Sequence, residues 1–332
     1  MSRRDPLEDR HGRHPISAPL AGASWGGLTL KPAVCYADLT MSKRVVLLIA
    51  TNFAIVLVLS IVLFLFGGFG YIGPDGTLDY GALLFFSFVF GMGGAFLSLL
   101  ISRWMAKKAM GVQLVDGQTG DQTLDWLYRT VARLAQQAQL PMPEVGTYES
   151  GEVNAFATGP SKRKSLVAVS TGLLGAMRQD EIEGVLAHEI AHISNGDMVT
   201  MTLIQGVVNT FVIFLARVVA AVVRQTVDER YAYILSFVVM ILLEIGLGIL
   251  GMMIVAWYSR AREFRADAGG ASLAGRGNMI AALRRLQDTK DLVDKSQPAL
   301  ATLKISGGKM SLWMSTHPPL EARIRALETG RA

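Results

Sequence analysis

His188-Glu189-Ile190-Ala191-His192 (HEIAH) decides how this chain is read, and the rest of the sequence is ordered around it. Residues four apart on a helix share a face, so His188 and His192 can both offer an imidazole to one metal ion. Glu189 follows the first of them and can reach a metal-activated water without being a ligand. With 5 histidines among 332 residues, chance supplies an H-E-x-x-H pattern about 0.003 times. The reading is a zinc hydrolase; the competing one is a helix with two unrelated histidines.

The stretch lies on a strongly helical run. Asp180 stands near its start, where a negative charge suits the helix dipole. Ile182, Val185, Leu186, Ile190 and Ile193 supply a packing face, which leaves His188 and His192 on another side. Upstream, Leu124 to Leu140 has helical spacing and is closed by Pro141. Glu144 to Thr147 and Asn154 to Thr158 are short strand candidates, and Leu166 to Ser170 alternates before Thr171 opens another helix. Downstream, Asn278 to Leu286 and Pro319 to Leu327 are helix candidates, with a loop from Leu300 to Ser315 between them. Leu114-Val115-Asp116-Gly117 reads as a turn. Two glycine patterns, Gly68-x-Gly70-x-x-Gly73 and Gly246-x-Gly248-x-x-Gly251, match a nucleotide fingerprint by letters only. Neither follows a strand, so tight turns and close helix packing account for them.

The chain is 51% hydrophobic with a mean hydropathy of +0.36, too apolar for an ordinary soluble protein. Val45 to Phe66, Tyr80 to Ile101, Thr200 to Val223 and Tyr231 to Tyr258 each meet the length of a transmembrane helix, roughly 20 residues. The third contains Arg217 and the fourth Glu244. Counted from the intervening turn these charges are offset by about 7 residues, roughly 10 Å, a stretch even for an arginine. Either they pair, or the two helices bury each other or line a polar cavity. Lys43, Arg44, Arg103, Lys107, Lys108, Arg260, Arg262 and Arg265 flank the spans, while the 67–79 loop has no Lys or Arg. Arg224 and Arg230 argue the other way, but the majority puts both termini and residues 102–197 in the cytoplasm.

Cys35 is the single cysteine, so neither an internal disulfide nor a thiol metal site can form. The net charge of +5 comes mostly from the span flanks, which suits anionic lipid headgroups; no nucleic-acid stripe is visible. The organisation that follows is a disordered extension over 1–40, two transmembrane helices within 41–108, and a first catalytic segment over 109–199. Two further hydrophobic helices over 200–258 and a second catalytic segment over 259–332 complete it. Met41 is a possible start, and the first span is too long to be a removed signal peptide.

Two histidines leave a third protein ligand to find, with a fourth position open to water. His192 lies just before the third span and Glu263 just after the fourth. A hairpin of two spans returns the chain to the same membrane face, which favours Glu263 over Asp197 or the N-terminal histidines. The plain alternative for Glu263 is a surface charge paired with Arg260 or Arg262. Asp267, four residues on, suits orienting a ligand histidine. His317, in Ser315-Thr316-His317-Pro318-Pro319, is a candidate for stabilising an oxyanion or for a hydrogen bond at a helix start.

Four ordered motifs together resemble the HtpX family of membrane metalloendopeptidases, bacterial relatives of the CAAX prenyl proteases. They are Asn154 to Gly159 (NAFATG), His188 to Asp197 (HEIAHISNGD), Arg262 to Ala271 (REFRADAGGA) and His317 to Leu327. The resemblance covers about 41–330. It implies a multi-pass α-helical membrane protein with a cytoplasmic α+β domain of gluzincin type. One Zn2+ would be held by His188, His192 and Glu263, with Glu189 as base. It further implies that Asn154, Ala155, Phe156 and Ala157 form an edge strand for substrate, and that His317 and Arg323 stabilise the transition state. The implied setting is quality control of misfolded membrane proteins, a stress response, in the bacterial inner membrane.

Two other functions compete. In an intramembrane zinc protease the histidines should lie inside an apolar span, yet Arg178, Asp180, Glu181 and Glu183 crowd the approach to them. A metal-binding membrane scaffold or transporter has no use for Glu189.

Overall fold

The computed structural model describes residues 57–59, 61, 70–73, 77–296 and 315–330. The 1–40 extension, most of the first apolar run and most of the loop after Leu300 lie outside them. Helix α1 (Tyr80–Met110) opens on Asp79, whose carboxylate accepts the Gly81 and Ala82 N–H groups. It holds a π-turn at Val89–Gly93 and carries the chain into strand β1 (Gln113–Val115). Helix α2 (Gln122–Gln137), strands β2 (Glu144–Tyr148), β3 (Ala155–Ser161) and β4 (Lys164–Ser170), and a short helix α3 (Thr171–Ala176) follow. Then come α4 (Gln179–Asn195), α5 (Asp197–Thr226), α6 (Glu229–Ala274), α7 (Arg276–Ser296) and α8 (Leu320–Glu328).

Among the described residues three helices, α1, α5 and α6, are long and apolar enough to cross a membrane. They contain the second, third and fourth apolar runs. Large side chains such as Phe211, Ile234, Leu242 and Trp257 are exposed along them, as a lipid-facing surface requires. At about 1.5 Å per residue the 46 residues of α6 extend about 69 Å, more than twice the bilayer core. The fourth span and the segment bearing Glu263 are therefore one rod, and the apolar part delivers the polar part to a fixed place.

Arg217 and Glu244 pair directly, Nη1 to Oε1 at 2.7 Å, with the guanidinium 5.1 Å from the Phe86 ring centre. Counted from the observed helix ends the offset is about 6 residues, roughly 9 Å. The helices end at Thr226 and restart at Glu229, and two extended side chains divide the remaining gap.

The sheet has the order β1-β2-β4-β3. Strands β2 and β4 run parallel, and β3 is the terminal strand, paired antiparallel to β4. Residues alternate across its two faces as a pleat demands. Val145, Val167 and Val169 meet Leu127, Val131 and Leu134 of α2 and Ile182, Leu186 and Ile190 of α4. Tyr148, Leu166, Ala168 and Phe156 meet Ala106 and Met110 at the end of α1. Strand β1 lies where the sequence suggests only a turn; the turn itself follows it at Asp116-Gly117, so Leu114 and Val115 complete a three-residue edge strand. Of the glycine patterns, Gly251 lies against Val208 on α5, a close helix crossing, while Gly246 and Gly248 meet nothing.

Candidate metal centre

Helix α4 is the central element of the core. The Glu181 carboxylate reaches back to accept the Arg178 N–H at 2.8 Å, closing its first turn. Its last turn ends at Gly196, which adopts φ +70° and donates its N–H to the His192 and Ile193 carbonyls. That left-handed residue swings the chain directly into α5, so Asp197 begins the next helix beside His192.

Helix α6 crosses α4 at glycine. A Cβ on Gly270 would stand 3.1 Å from the His188 backbone nitrogen, and one on Gly269 would stand 2.7 Å from the Ala191 Cβ. This close crossing sets Glu263 and Asp267, both fully buried, against the two histidines.

The donor atoms converge. His188 Nε2 and His192 Nε2 are 3.0 Å apart; Glu263 Oε2 is 3.6 Å from the first and Oε1 3.5 Å from the second. The other ring nitrogens are engaged behind them. His188 Nδ1 is 2.9 Å from Asp267 Oδ1, and His192 Nδ1 is 2.6 Å from Asp197 Oδ2. With each Nδ1–H donated to a carboxylate, both Nε2 atoms present bare lone pairs to one another and to a carboxylate. Such a constellation is repulsive unless a proton or a cation stands between the donors. Ligands at 2.0–2.2 Å around a tetrahedral ion would lie about 3.4 Å from one another, close to the 3.0, 3.5 and 3.6 Å found. The Glu263 Oε1 atom is also buried with no hydrogen-bond partner, although a buried carboxylate oxygen needs one. The three residues thus fit a divalent ion, and the two aspartates behind the histidines fit the outer shell such a site needs.

The electrostatics agree. Burial alone would depress the His188 imidazole, but Asp267 and Glu263 outweigh it and hold its pKa up at about 9. The carboxylates thus stabilise a positive charge on the Nε2 edge of His188, which a proton supplies when no cation does. Arg323 balances the carboxylates from the far side. Its Nε and Nη2 clasp Asp267 at 2.7 and 2.6 Å, and Nη1 is 3.5 Å from Glu263 Oε2. Burial opposes its charge, yet the Asp267 hydrogen bond keeps the guanidinium even more firmly protonated than usual.

A cleft of about 200 Å³ opens on the cluster, lined by Val153, Asn154, Ala155, His188, Glu189, Glu263, His317 and Arg323 among others. Glu189 is half-buried on its wall. His317 is brought in by Arg260, whose Nη1 donates to the Ser315 carbonyl at 2.8 Å. Its Nδ1 is 2.9 Å from Glu263 Oε2, and its side chain is 63% exposed. The structure therefore sets His317 on the Glu263 carboxylate at the open side, and Arg323 as a buried clasp on Asp267.

Of the strand residues, Asn154 and Ala155 reach the cleft. Asn154 joins β4 through Ser170, accepting its N–H at 2.9 Å. Ala155, Phe156 and Ala157 pair with Val169, Ala168 and Val167, so β3 is bonded to β4 on one side only in the strand order. Sequence reasoning weighed Asp197 only as a ligand and missed it behind His192. The signal was Asn195-Gly196-Asp197, a helix stop followed at once by a helix start.

A buried two-histidine, one-glutamate cluster with a glutamate in the adjoining cleft, mounted on helices that continue as membrane spans, defines a membrane metallopeptidase. The profile of peptidase family M48 matches residues 121–331, and the chain belongs to that family. It is 55% identical over 296 residues to "Protease HtpX" of Shewanella loihica, covering 86% of this chain and 99% of the relative. It is 52% identical over 295 residues to "Protease HtpX homolog" of Bacillus licheniformis, covering 87% and 99%. Among solved structures, S. mikatae Ste24p shares the fold at a TM-score of 0.61 and 20% identity. That match covers 88% of this chain and 66% of the Ste24p chain.

Proposed function

We propose that this membrane metalloprotease is a zinc-dependent endopeptidase in which Glu189 is the general base. His188, His192 and Glu263 hold the ion; the observation that carries this is the convergence of their donor atoms, with the buried Glu263 Oε1 making no hydrogen bond. Bound there, zinc would supply a water of pKa about 7 and polarise the scissile carbonyl. The Glu189 carboxylate takes a proton from the attacking water and delivers it to the nitrogen of the leaving amine. Asp267 and Asp197 fix the histidine tautomers so that both Nε2 lone pairs stay on the cluster. His317, held through Nδ1, offers its other nitrogen to the developing oxyanion. Arg323 contributes to transition-state stabilisation through Asp267 and Glu263, by holding their charge in place.

Substrate enters extended, adding a strand to β3 along Asn154, Ala155, Phe156 and Ala157. Only a segment free of its own secondary structure can do so, which fits misfolded membrane proteins as clients. The domain then faces the cytoplasm from the bacterial inner membrane, in agreement with the lysines and arginines that flank the spans.

The test is metal content and casein cleavage for wild type beside Glu189→Gln. The expected outcome is equal zinc, with cleavage reduced by about 10²–10⁴-fold in the variant. Normal turnover in Glu189→Gln would remove Glu189 from the mechanism.

A further inference from the structure

The turn joining β3 to β4 has no part in the peptidase chemistry, yet it is the most concentrated positive charge on the sheet. Lys162 and Arg163 form a two-residue turn and Lys164 follows, all three exposed. The ion pairs found among the described residues use none of them. We propose that Lys162, Arg163 and Lys164 form a binding site for anionic phospholipid headgroups on the membrane face from which α1 emerges.

The register of the sheet against α1 shows which way the turn points. Arg103 and Lys107 of α1 both reach Glu144, at 2.9 and 3.0 Å. Glu144 is level with Leu166, and Leu166 with Thr158. Beyond the end of α1, Val112 packs on Gly146, which is level with Ala168 and Phe156. Moving along α1 toward the membrane therefore moves from the Phe156 level to the Thr158 level. The next level in that direction is the Ser161–Lys164 pair, and then the turn. Lys164 is about 7 Å past Leu166 at 3.3 Å per residue, and the turn reaches further still. This sets it beside the part of α1 where the apolar span gives way to Arg103 and Trp104. Trp104 is 51% exposed, as expected of a side chain at the headgroup level.

The turn is also preformed. A β-bulge interrupts the pairing between Thr158 and Ser161, and Gly159 sits there with φ +138°. A Cβ at that position would run into the Lys164 carbonyl oxygen. The bulge and Pro160 fix the backbone that carries the three cations, so binding need order only their side chains. Each cation at an anionic surface strengthens association by about fivefold. The opposite end of β3 lines the cleft, about 20 Å away at 3.3 Å per residue. Anchoring the turn thus sets the height of the cleft above the bilayer. The inference needs α1 as a span, not the peptidase chemistry.

The experiment uses the full chain in nanodiscs, with Cys35→Ser and Ser161→Cys labelled by an environment-sensitive dye. Quenching by headgroup-spin-labelled lipid is measured in phosphatidylglycerol and in phosphatidylcholine discs. Strong quenching in the anionic discs, weakened by salt and lost in Lys162→Gln/Arg163→Gln/Lys164→Gln but kept in Lys162→Arg/Lys164→Arg, is the expected result. Equal quenching in both lipids, or quenching that survives removal of the three charges, would overturn the proposal. So would a dye that responds to an acidic peptide and not to lipid, which would make the turn a substrate contact.

Discussion

The α5–α6 hairpin carries two sets of charge, one buried and one half-buried, and they are built differently. At one end Asp197 and Glu263 belong to a cluster in which nearly every polar atom has a partner from another element. Midway along, Arg217 and Glu244 have chiefly each other, with Phe86 and one backbone carbonyl beside them. The first set draws on α4, α5, α6, α8 and the segment around His317; the second joins two helices already packed side by side. Charges recruited from many elements around a single unsatisfied oxygen form a site. A pair joined within its own hairpin, through Arg217 Nη1 alone, is a fastener.

This difference predicts a steep gradient of effects. Glu263→Ala should be the most damaging change: metal content by elemental analysis falls to background and cleavage with it. A fully loaded Glu263→Ala protein would move the third ligand elsewhere. Next come the aspartates behind the histidines. Asp197→Ala should weaken metal affinity by about 10–100-fold in a chelator competition. Asp267→Ala should cost more, because it also strips the buried Arg323 of its bidentate partner. Equal losses in the two variants would mean that Arg323 matters little to the site.

The packing beneath the cluster offers a subtler break. Gly270→Val would push α6 off the His188 backbone, and overpacking of this kind costs about 1–3 kcal/mol. Because Glu263 and Asp267 ride on the displaced helix, metal affinity should drop together with the thermal midpoint. A variant that loses stability but binds metal as wild type would show that the crossing sets packing alone.

These residues also mark how far sequence could see. His188, Glu189 and His192 are visible from spacing on one helix, because the period of the helix is itself the geometry. Glu263 is visible through a topological argument, since two spans must return the chain to the side it left. Asp267 follows from Glu263 by one helical turn. Asp197 behind His192 and Arg323 on Asp267 are not visible in this way. The first depends on a single left-handed glycine, and the second spans 56 residues through a segment with no periodicity to guide it. In the fold, the apolar stretches and most strands are legible, but the hydropathy boundary at Tyr258 hides that α6 runs on unbroken to Ala274. Hydropathy reports the solvent around a helix and not where its hydrogen bonds stop.

The smallest effect belongs to the fastener, and it is where the comparison can be tested most sharply. Arg217→Met leaves Glu244 without its partner among apolar side chains, and Glu244→Leu leaves Arg217 likewise. Each should cost about 1–3 kcal/mol, the usual penalty for a stranded polar group. The double variant removes both charges and their desolvation, so its stability should return close to wild type. Metal affinity should stay unchanged in the double variant, because Asp197 and Glu263 lie at the far ends of helices whose packing does not need the pair. Thermal unfolding in detergent and chelator competition, measured on all four proteins, give the coupling directly. If the double variant regains stability but binds metal poorly, the pair sets the register of α5 against α6, and the two sets of charge act as one.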